Sequence, residues 1–363
     1  MKLQVTQANL SKALNTVARI ANSRNPLAIL SNVLLKTENN RLSIAATNLD
    51  IGITHFIGSK IEQGGAITVP ARLMQDFVSS LPDSVLNLEL TDNKLRITTE
   101  QYQSTINGIV ADDFPVMPAI KEGVTWKSPA PAFKKALSQV VFAASTDDAR
   151  PVLSGVYFHS AGSQAVVVAT DSYRLAENKL GKATKAINFL VPATAAQDLL
   201  RIISDTDKEV TVTHDDQQVL FSVGDVNLVA RLIEGNYPDY HKLIPAKFTT
   251  VAKLTRADLL NITKVSSLFA RESAGSITIK ADKNDSSVSI NAIASQLGEN
   301  TAKAPAKITG GGEITLNSRY LIDALNAFSA EDIEFCFNGK LEPIILRSST
   351  EPNYLHLIMP LRS

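Results

Sequence analysis

Cysteine is almost absent. Cys336 is the only one in 363 residues, so no internal disulfide framework can form, and the composition fits a reducing cytoplasm. It stands in the strand-like run Ile333-Glu334-Phe335-Cys336-Phe337, where a buried, inert thiol is expected and not a nucleophile. No apolar run approaches the ~18 residues that a membrane helix needs, and the N-terminal Met1-Lys2-Leu3-Gln4-Val5 reads as a strand, not a signal peptide. There is no GxxxxGK[ST], GxGxxG, HExxH or paired-cysteine spacing, which removes the common nucleotide, dinucleotide and zinc signatures. His55, His159, His214, His241 and His356 are scattered without metal-ligand spacing; His55, His159 and His356 read as surface or packing residues. Charge of one sign is also missing: 36 Lys and Arg balance 36 Asp and Glu. Bulk charge therefore announces no nucleic-acid partner.

What the chain does have is a long internal repeat. Val69-Pro70-Ala71-Arg72-Leu73 returns as Val191-Pro192-Ala193-Thr194-Ala195 and more weakly as Leu316-Asn317-Ser318-Arg319-Tyr320, spaced 122 and 125 residues apart. Ala13-Leu14-Asn15-Thr16-Val17 returns at residues 136–140 and 261–265, and Leu30-Ser31-Asn32-Val33 at 153–156. The period is the size of a whole domain, about 100–150 residues, and too long for a solenoid turn. The reading is one domain triplicated, over residues 1–120, 127–245 and 249–363.

Each repeat carries two amphipathic helices, near 7–21, 71–80, 130–145, 193–204, 255–270 and 317–328. Phe133, Leu137, Val140, Val141 and Ala144 fall on one face at helical spacing, as on a helix packed on a sheet. Arg41-Leu42-Ser43-Ile44-Ala45, Leu86-Asn87-Leu88-Glu89-Leu90 and Val210-Thr211-Val212-Thr213 alternate as half-buried strands do. Helix, strands, helix, strands within each repeat makes every domain a doubled unit of an α+β fold, with sheets on one side and two helices on the other. The six helices hold nine Lys and Arg against four Asp, a net +5 that leaves −5 on the rest of a neutral chain. That is either ordinary solvated helix surface or one basic face made by helices. Pro115 and Pro238, 123 residues apart, stiffen equivalent joints. Ala302-Lys303-Ala304-Pro305-Ala306-Lys307 and Gly310-Gly311-Gly312 read as loop.

One cluster invites a catalytic reading, Ala169-Thr170-Asp171-Ser172-Tyr173-Arg174-Leu175. Ser172 lacks the flanking glycines of a nucleophile elbow, and Ala46-Thr47-Asn48-Leu49-Asp50 occupies the equivalent place in the first repeat. A turn is the plainer explanation. An enzyme using Asp171, Tyr173 and Arg174 ranks below a binding protein, and a non-ring repeat scaffold for DNA or protein is the other alternative.

These residues together resemble one family. The triplication, Val-Pro-Ala-Arg at 69–72, Ala-Asp-Asp-Phe-Pro at 111–115, Ala-Thr-Asp-Ser-Tyr-Arg-Leu at 169–175, Tyr-Pro-Asp-Tyr at 237–240 and the ending Met359-Pro360-Leu361-Arg362 are similar to the bacterial DNA polymerase sliding clamps, the beta subunits of the replicative polymerase III holoenzyme. The similarity runs in order from residue 1 to 363. It implies three tandem two-helix, antiparallel-sheet domains and a head-to-tail homodimer closed into a ring, helices lining the hole. It also implies a processivity factor, not an enzyme, with no cofactor, no metal and no membrane contact. Such a ring encircles duplex DNA without sequence preference and slides along it. The expected partners are the replicative polymerase alpha subunit, a clamp-loader complex, and other polymerases and repair proteins that dock through short linear motifs.

Carried over residue by residue, the resemblance places a peptide cleft at Leu153, Thr170, Tyr173, Arg174, Leu175, Pro238, Lys242, Leu243, Asn317, Tyr320, Ile344, Met359, Pro360, Leu361 and Arg362. The chain terminus in that cleft is expected to have no packing obligation. Tyr173 stands where the best-known members have histidine, and Lys242 where they have arginine. The DNA-facing set is Lys12, Arg19, Arg24, Arg72, Lys134, Lys135, Arg201 and Lys264, with Asp147, Pro151 and Val152 replacing polar or aromatic DNA-contacting residues of some members. The ring contact is expected between Leu268 and Phe269 of one chain and the strand carrying Ser104 and Ile106 of the other.

Overall fold

The computed structural model describes residues 1–21, 27–147, 149–183, 185–294 and 298–361. Its elements follow one pattern six times: a strand, a helix, then three or four strands. The first repeat runs β1 (Lys2–Thr6), α1 (Gln7–Val17), β2 (Asn32–Glu38), β3 (Arg41–Thr47), β4 (Ile51–Gly58), β5 (Lys60–Gln63), then β6 (Ala66–Pro70), α2 (Ala71–Ser80), β7 (Val85–Thr91), β8 (Lys94–Thr98) and β9 (Gln103–Asn107). The second runs β10 (Val124–Pro129), α3 (Ala130–Val140), β11 (Gly155–Ala161), β12 (Gln164–Thr170), β13 (Arg174–Lys182), then β14 (Asn188–Pro192), α4 (Ala193–Ile202), β15 (Glu209–His214), β16 (Gln218–Val223) and β17 (Val226–Arg231). The third runs β18 (Thr250–Thr255), α5 (Arg256–Phe269), β19 (Ser276–Asp282), β20 (Ser287–Ala294), β21 (Gly298–Pro305), β22 (Lys307–Thr309), then β23 (Gly312–Asn317), α6 (Ser318–Ala327), β24 (Asp332–Phe337), β25 (Ile344–Arg347) and β26 (Tyr354–Ile358).

Hydrogen bonding does not respect the repeat boundaries. The chain packs as two compact units, Met1–Pro131 with Gln197–Leu232, and Ala132–Ala196 with Ile233–Ser363. In the first unit the sheets are β5-β1-β7-β8-β9 and β10-β15-β16-β17-β4-β3-β2-β6; in the second they are β14-β11-β12-β13-β26-β25-β24-β18-β22 and β21-β20-β19-β23. All named pairings are antiparallel. Each long sheet is sewn across a joint by one ladder. β17 pairs with β4 from Val226–His55 to Ala230–Ile51, and β13 pairs with β26 from Arg174–Ile358 to Asn178–Tyr354.

The helices form where the apolar stripes lie. Leu10, Leu14 and Val17 of α1, and Phe133, Leu137 and Val140 of α3, are buried, with Phe133 stacked on Phe158 of β11 at 6.0 Å between centroids. Thr6 and Thr255 accept hydrogen bonds from Asn9 N and Asp258 N, capping α1 and α5. Two helices stop earlier than the apolar spacing suggests. α1 ends at Val17, and α3 at Val140, where a 3₁₀ turn of residues 141–143 tightens the exit.

Alternation holds on β7, where Leu86 and Leu88 are buried between exposed neighbours. It fails on β3, which is buried from Leu42 to Thr47. That strand is flanked by β2 and β4, and the joint of residues 111–120 covers its sheet, with Met117 so near Gly52 that a Cβ there would overlap it. The turn from β2 to β3 uses Asn39 and Asn40 at φ +47° and +60°, the paired positive φ that suits a tight hairpin. The stretch 302–307 is strand, not loop: it completes β21 and opens β22, with Pro305 at the end of an edge strand, where a missing N–H costs no ladder bond.

In the second unit the two faces of the long sheet do different work. Side chains alternate across β11, so Phe158 meets α3 while Tyr157 and His159 point to the other face. There the joint after the second repeat lies as a strap. Tyr240 is buried with Val168, Leu175, Cys336, Ile345 and Leu357, and Tyr237, Ile244 and Phe248 pack against that cluster.

Candidate functional site

The turn between β12 and β13 is built by its own side chains. Thr170 Oγ1 donates to Arg174 O at 2.6 Å and accepts from Ser172 N at 3.1 Å. Asp171 Oδ1 accepts from Tyr173 N and Arg174 N, both at 2.9 Å. Ser172 is thereby held at φ +77°, a left-handed conformation costing of order 1–3 kcal/mol for a residue with a Cβ. The first repeat makes the same turn from Thr47, Asn48 and Leu49, with Leu49 at φ +80°. The geometry is thus a property of the repeat; the side chains displayed on it are particular to the second copy.

Arg174 is the centre of that display. Its Nε donates to Asp171 Oδ2 at 3.1 Å, Nη1 to Asp323 Oδ2 at 2.7 Å and Nη2 to Phe142 O at 2.8 Å. The guanidinium carbon lies 4.7 Å from the centroid of Tyr320 and 5.4 Å from that of Phe142, and the side chain is 12% exposed. Planar, multiply bonded and set over two aromatic rings, it cannot be replaced by a lysine point charge. Tyr320 and Asp323 sit three apart on α6, so one helix face supplies both the ring and the carboxylate. Together with Tyr173, Asn317, Phe142 and Arg150 these groups line a cleft of about 870 Å³. Burial raises the Tyr320 phenol above its ordinary pKa. Both oxygens of Asp171 are engaged, Oδ1 in the turn and Oδ2 on Arg174, so its carboxylate acts here as a fixed acceptor.

The other cleft candidates divide by exposure. Tyr173 is 61% exposed, and Pro238, Lys242 and Leu243 are exposed on the strap, with Lys242 bound to Asp239 at 3.0 Å. Leu153 and Thr170 are buried with narrow edges showing. Leu175 and Ile344 are core residues, 1% and 0% exposed, because β13 and β25 are interior strands of the long sheet; they back the site and present no free surface. The terminus is also more committed than expected. Met359 N donates to Tyr173 O at 2.8 Å, Leu361 N donates to Thr315 O at 2.9 Å, and Met359 packs on the Tyr240 cluster. Arg362 lies outside the described residues.

Of the cationic candidates, Lys12, Arg19, Arg72, Lys135, Arg201 and Lys264 are exposed and Lys134 is half-buried, while Arg24 lies outside the described residues. Arg19 falls just beyond the observed end of α1. In the first unit Lys12, Asn15 and Arg19 share a groove of about 530 Å³ with Asp198 and Arg201. Burial raises the Asp198 carboxyl despite Arg201 bonding it at 2.8 Å. Lys135 is partly committed to Glu351, at 3.4 Å.

At the sheet ends, β9 and β21 each have one neighbour among the described residues. Leu268, at the end of α5, is 51% exposed and Phe269 half-buried. Ser104 is half-buried, but Ile106 points into its own chain and is buried. Cys336 is fully buried, its thiol pushed up to about 11 by burial, and no metal-holding cluster occurs among the described residues. Asp323 as the clamp on Arg174 and Phe142 beside it were not foreseen as site residues; the i, i+3 spacing of Tyr320 and Asp323 was the available signal for one of them.

Three family descriptions match the chain in order: the DNA polymerase III beta subunit N-terminal domain over 1–118, central domain over 128–239 and C-terminal domain over 241–362. The beta sliding clamp of Synechocystis sp. is 32% identical over 388 positions, covering 100% of this chain and 99% of the relative. That of Bacillus subtilis is 29% identical over 377 positions, covering 100% of both. The crystal structure of the Bacillus subtilis DNA polymerase sliding clamp superimposes with a TM-score of 0.95 at 28% identity, covering 100% of this chain and 99% of that one. The chain belongs to the DNA polymerase III beta subunit family, the bacterial beta sliding clamps.

Proposed function

We propose that two copies of this chain close head to tail into a ring around duplex DNA, and that the Arg174–Tyr320 cleft tethers polymerases and other DNA-processing proteins to it. One observation carries the ring. The third strand after the first helix of repeat 1, β4, pairs with the last strand of repeat 2, β17; the third strand after the first helix of repeat 2, β13, pairs with the last strand of repeat 3, β26. The rule leaves β21 of repeat 3 and β9 of repeat 1 without partners. Applied once more, it pairs β21 with β9 of a second copy, and twice applied it closes a two-fold ring. Leu268 and Phe269 at the end of α5, which packs on β21, would then cover the new ladder. In this reading strand pairing lies at β21 and the two α5 residues have an apolar supporting role.

The basic helices supply the DNA surface in this reading. The observed helical segments hold eight Lys and Arg against four Asp, and contacts to phosphate carry no sequence information, which sliding requires. Duplex binding without a loader is weak and strongly salt-dependent. Loading belongs to a separate ATP-driven complex. The peptide site combines an aromatic wall, a fixed guanidinium and the half-buried Met359-Pro360-Leu361 tail, suited to a short segment with a glutamine and two spaced apolar anchors. Binding is the whole activity, and no step of it calls for a catalysed reaction or a cofactor. Light scattering tests the assembly directly: the expected mass is twice 39.1 kDa, and a 39.1 kDa particle at micromolar concentration contradicts it.

A further inference from the structure

Beneath the strap lies a buried polar group that neither the DNA surface nor the cleft uses. His159 Nε2 stands 2.8 Å from the Tyr240 hydroxyl. Both residues are buried, as is Glu177 on β13, which faces the same hydroxyl. Around this bond the strap and sheet interleave their rings: Tyr157 stacks on His159 at 4.8 Å and on Tyr237 at 4.7 Å, and His241 stacks on Tyr240 at 4.2 Å. Tyr240 begins the single turn of residues 240–243. Anchoring it therefore sets where Pro238 and Leu243, two residues before the turn and at its end, stand on the exposed side.

We propose that His159 is a positioning residue for the peptide cleft: its bond to Tyr240 seats the strap that carries Pro238 and Leu243, and protonating the imidazole weakens that seat. The inference rests on the cleft assignment above. The groups around the imidazole are few. β11 contributes Tyr157, β14 contributes Asn188 in register with His159, β12 contributes only Val166 and Val168, and β13 contributes Glu177 and, in register, Lys179. The strap adds Tyr237, Tyr240 and His241, the last 3.6 Å from Asp239.

The sign follows from these neighbours. Burial lowers the His159 pKa below the usual histidine value, His241 pushes the same way, and the Ser160 backbone and Glu177 oppose without reversing it. With the strap lifted, the ring is in water and titrates near 6.5. Protons therefore bind the lifted form better, and the seated form loses ground as pH falls below about 6.5. Above that pH the seat is fully held.

The test uses the intact chain and a synthetic peptide with one glutamine, two spaced apolar anchors and no Asp, Glu or His. Calorimetry at pH 7.5 and 5.5 should show wild-type affinity falling about threefold or more at the lower pH, while amides 237–244 lose hydrogen-exchange protection beyond the intrinsic pH effect. His159→Phe, which fills the space without the bond, should bind more weakly at both pH values. His159→Gln, whose amide can meet the hydroxyl and cannot ionise, should recover part of the affinity and be flat with pH. His241→Gln should keep most of the wild-type slope, because burial and not His241 is the main cause of the shift. A wild-type slope in His159→Gln, or no slope in the wild type, overturns the inference. A wild type that binds no peptide at either pH overturns the cleft assignment instead, and the exchange of residues 237–244 then decides the part of His159 alone.

Discussion

Arg174 Nη1 reaches Asp323 Oδ2 at 2.7 Å across 149 residues of sequence, tying the turn before β13 to the middle of α6. Arg174 is buried and Asp323 about one-third exposed, so breaking the pair should be felt as stability as well as function. Arg174→Ala leaves Asp323 without this partner, while Asp171 keeps its two backbone N–H donors, and should cost about 1–3 kcal/mol, read as a lower midpoint in urea. Arg174→Lys keeps charge but not the fork, and should lose peptide affinity while keeping part of the stability.

The guanidinium carbon of Arg174 lies over the Tyr320 ring, 4.7 Å from its centroid. Tyr320→Ala should weaken peptide binding by about 2 kcal/mol, in the range of an aromatic anchor, and leave the dimer mass unchanged. Calorimetry and light scattering on one preparation check both halves.

Removing residues 359–363 should now do two things. Because Met359 packs on the Tyr240 cluster and Leu361 N bonds to Thr315 O, the truncated chain should lose about 1–2 kcal/mol of stability. It should also lose the peptide. Unchanged peptide affinity in the truncated protein would put the docking site elsewhere.

Leu268 and Ile106 separate interface from core. Leu268→Ala removes a side chain that is half exposed in its own chain, so the dimer should weaken with little change in melting temperature. Ile106→Ala removes a buried one and should lower the melting temperature first, by about 2–5 kcal/mol of stability. Sedimentation and thermal unfolding of the two variants distinguish the roles.

Acid should unfold this protein in a defined window. His356 is fully buried and stacked on Phe142, its Nε2 without a partner, and burial lowers its pKa to about 3. Burial, with Lys12 adding to it, lowers His55 to about 4. Both are neutral when folded and bind protons near pH 6.5 when unfolded, so their contribution is intact above 6.5 and falls as pH drops towards the folded values. Each should contribute a slope of about 1.4 kcal/mol per pH unit there. Replacing His356 with glutamine should flatten the urea-derived profile between pH 6 and 4.

The repeats, the helix placements and the Thr170–Arg174 turn were all legible in the sequence, because periodic apolar positions and Asx-type turn residues act locally. The sheet order was not. Which strands meet across a joint depends on partners over 170 residues apart, as with Ile51 and Ala230, and a period of two says nothing about the neighbour. For the same reason β3 read as half-buried when its outer face is covered by a distant segment, and Leu175 and Ile344 read as cleft lining when both strands are interior. Pro305 read as a loop signal because an edge strand tolerates what an interior one does not. The tail read as free because a terminus carries no sequence mark of the hydrogen bonds that Tyr173 and Thr315 offer it.

Topology tests the ring most directly. Loaded onto a nicked circular duplex by a loader complex and filtered at high salt, the protein should stay with the circle and leave within the same run once the circle is cut. Equal retention on circular and linear DNA, or release from both at the same salt, would contradict a closed ring.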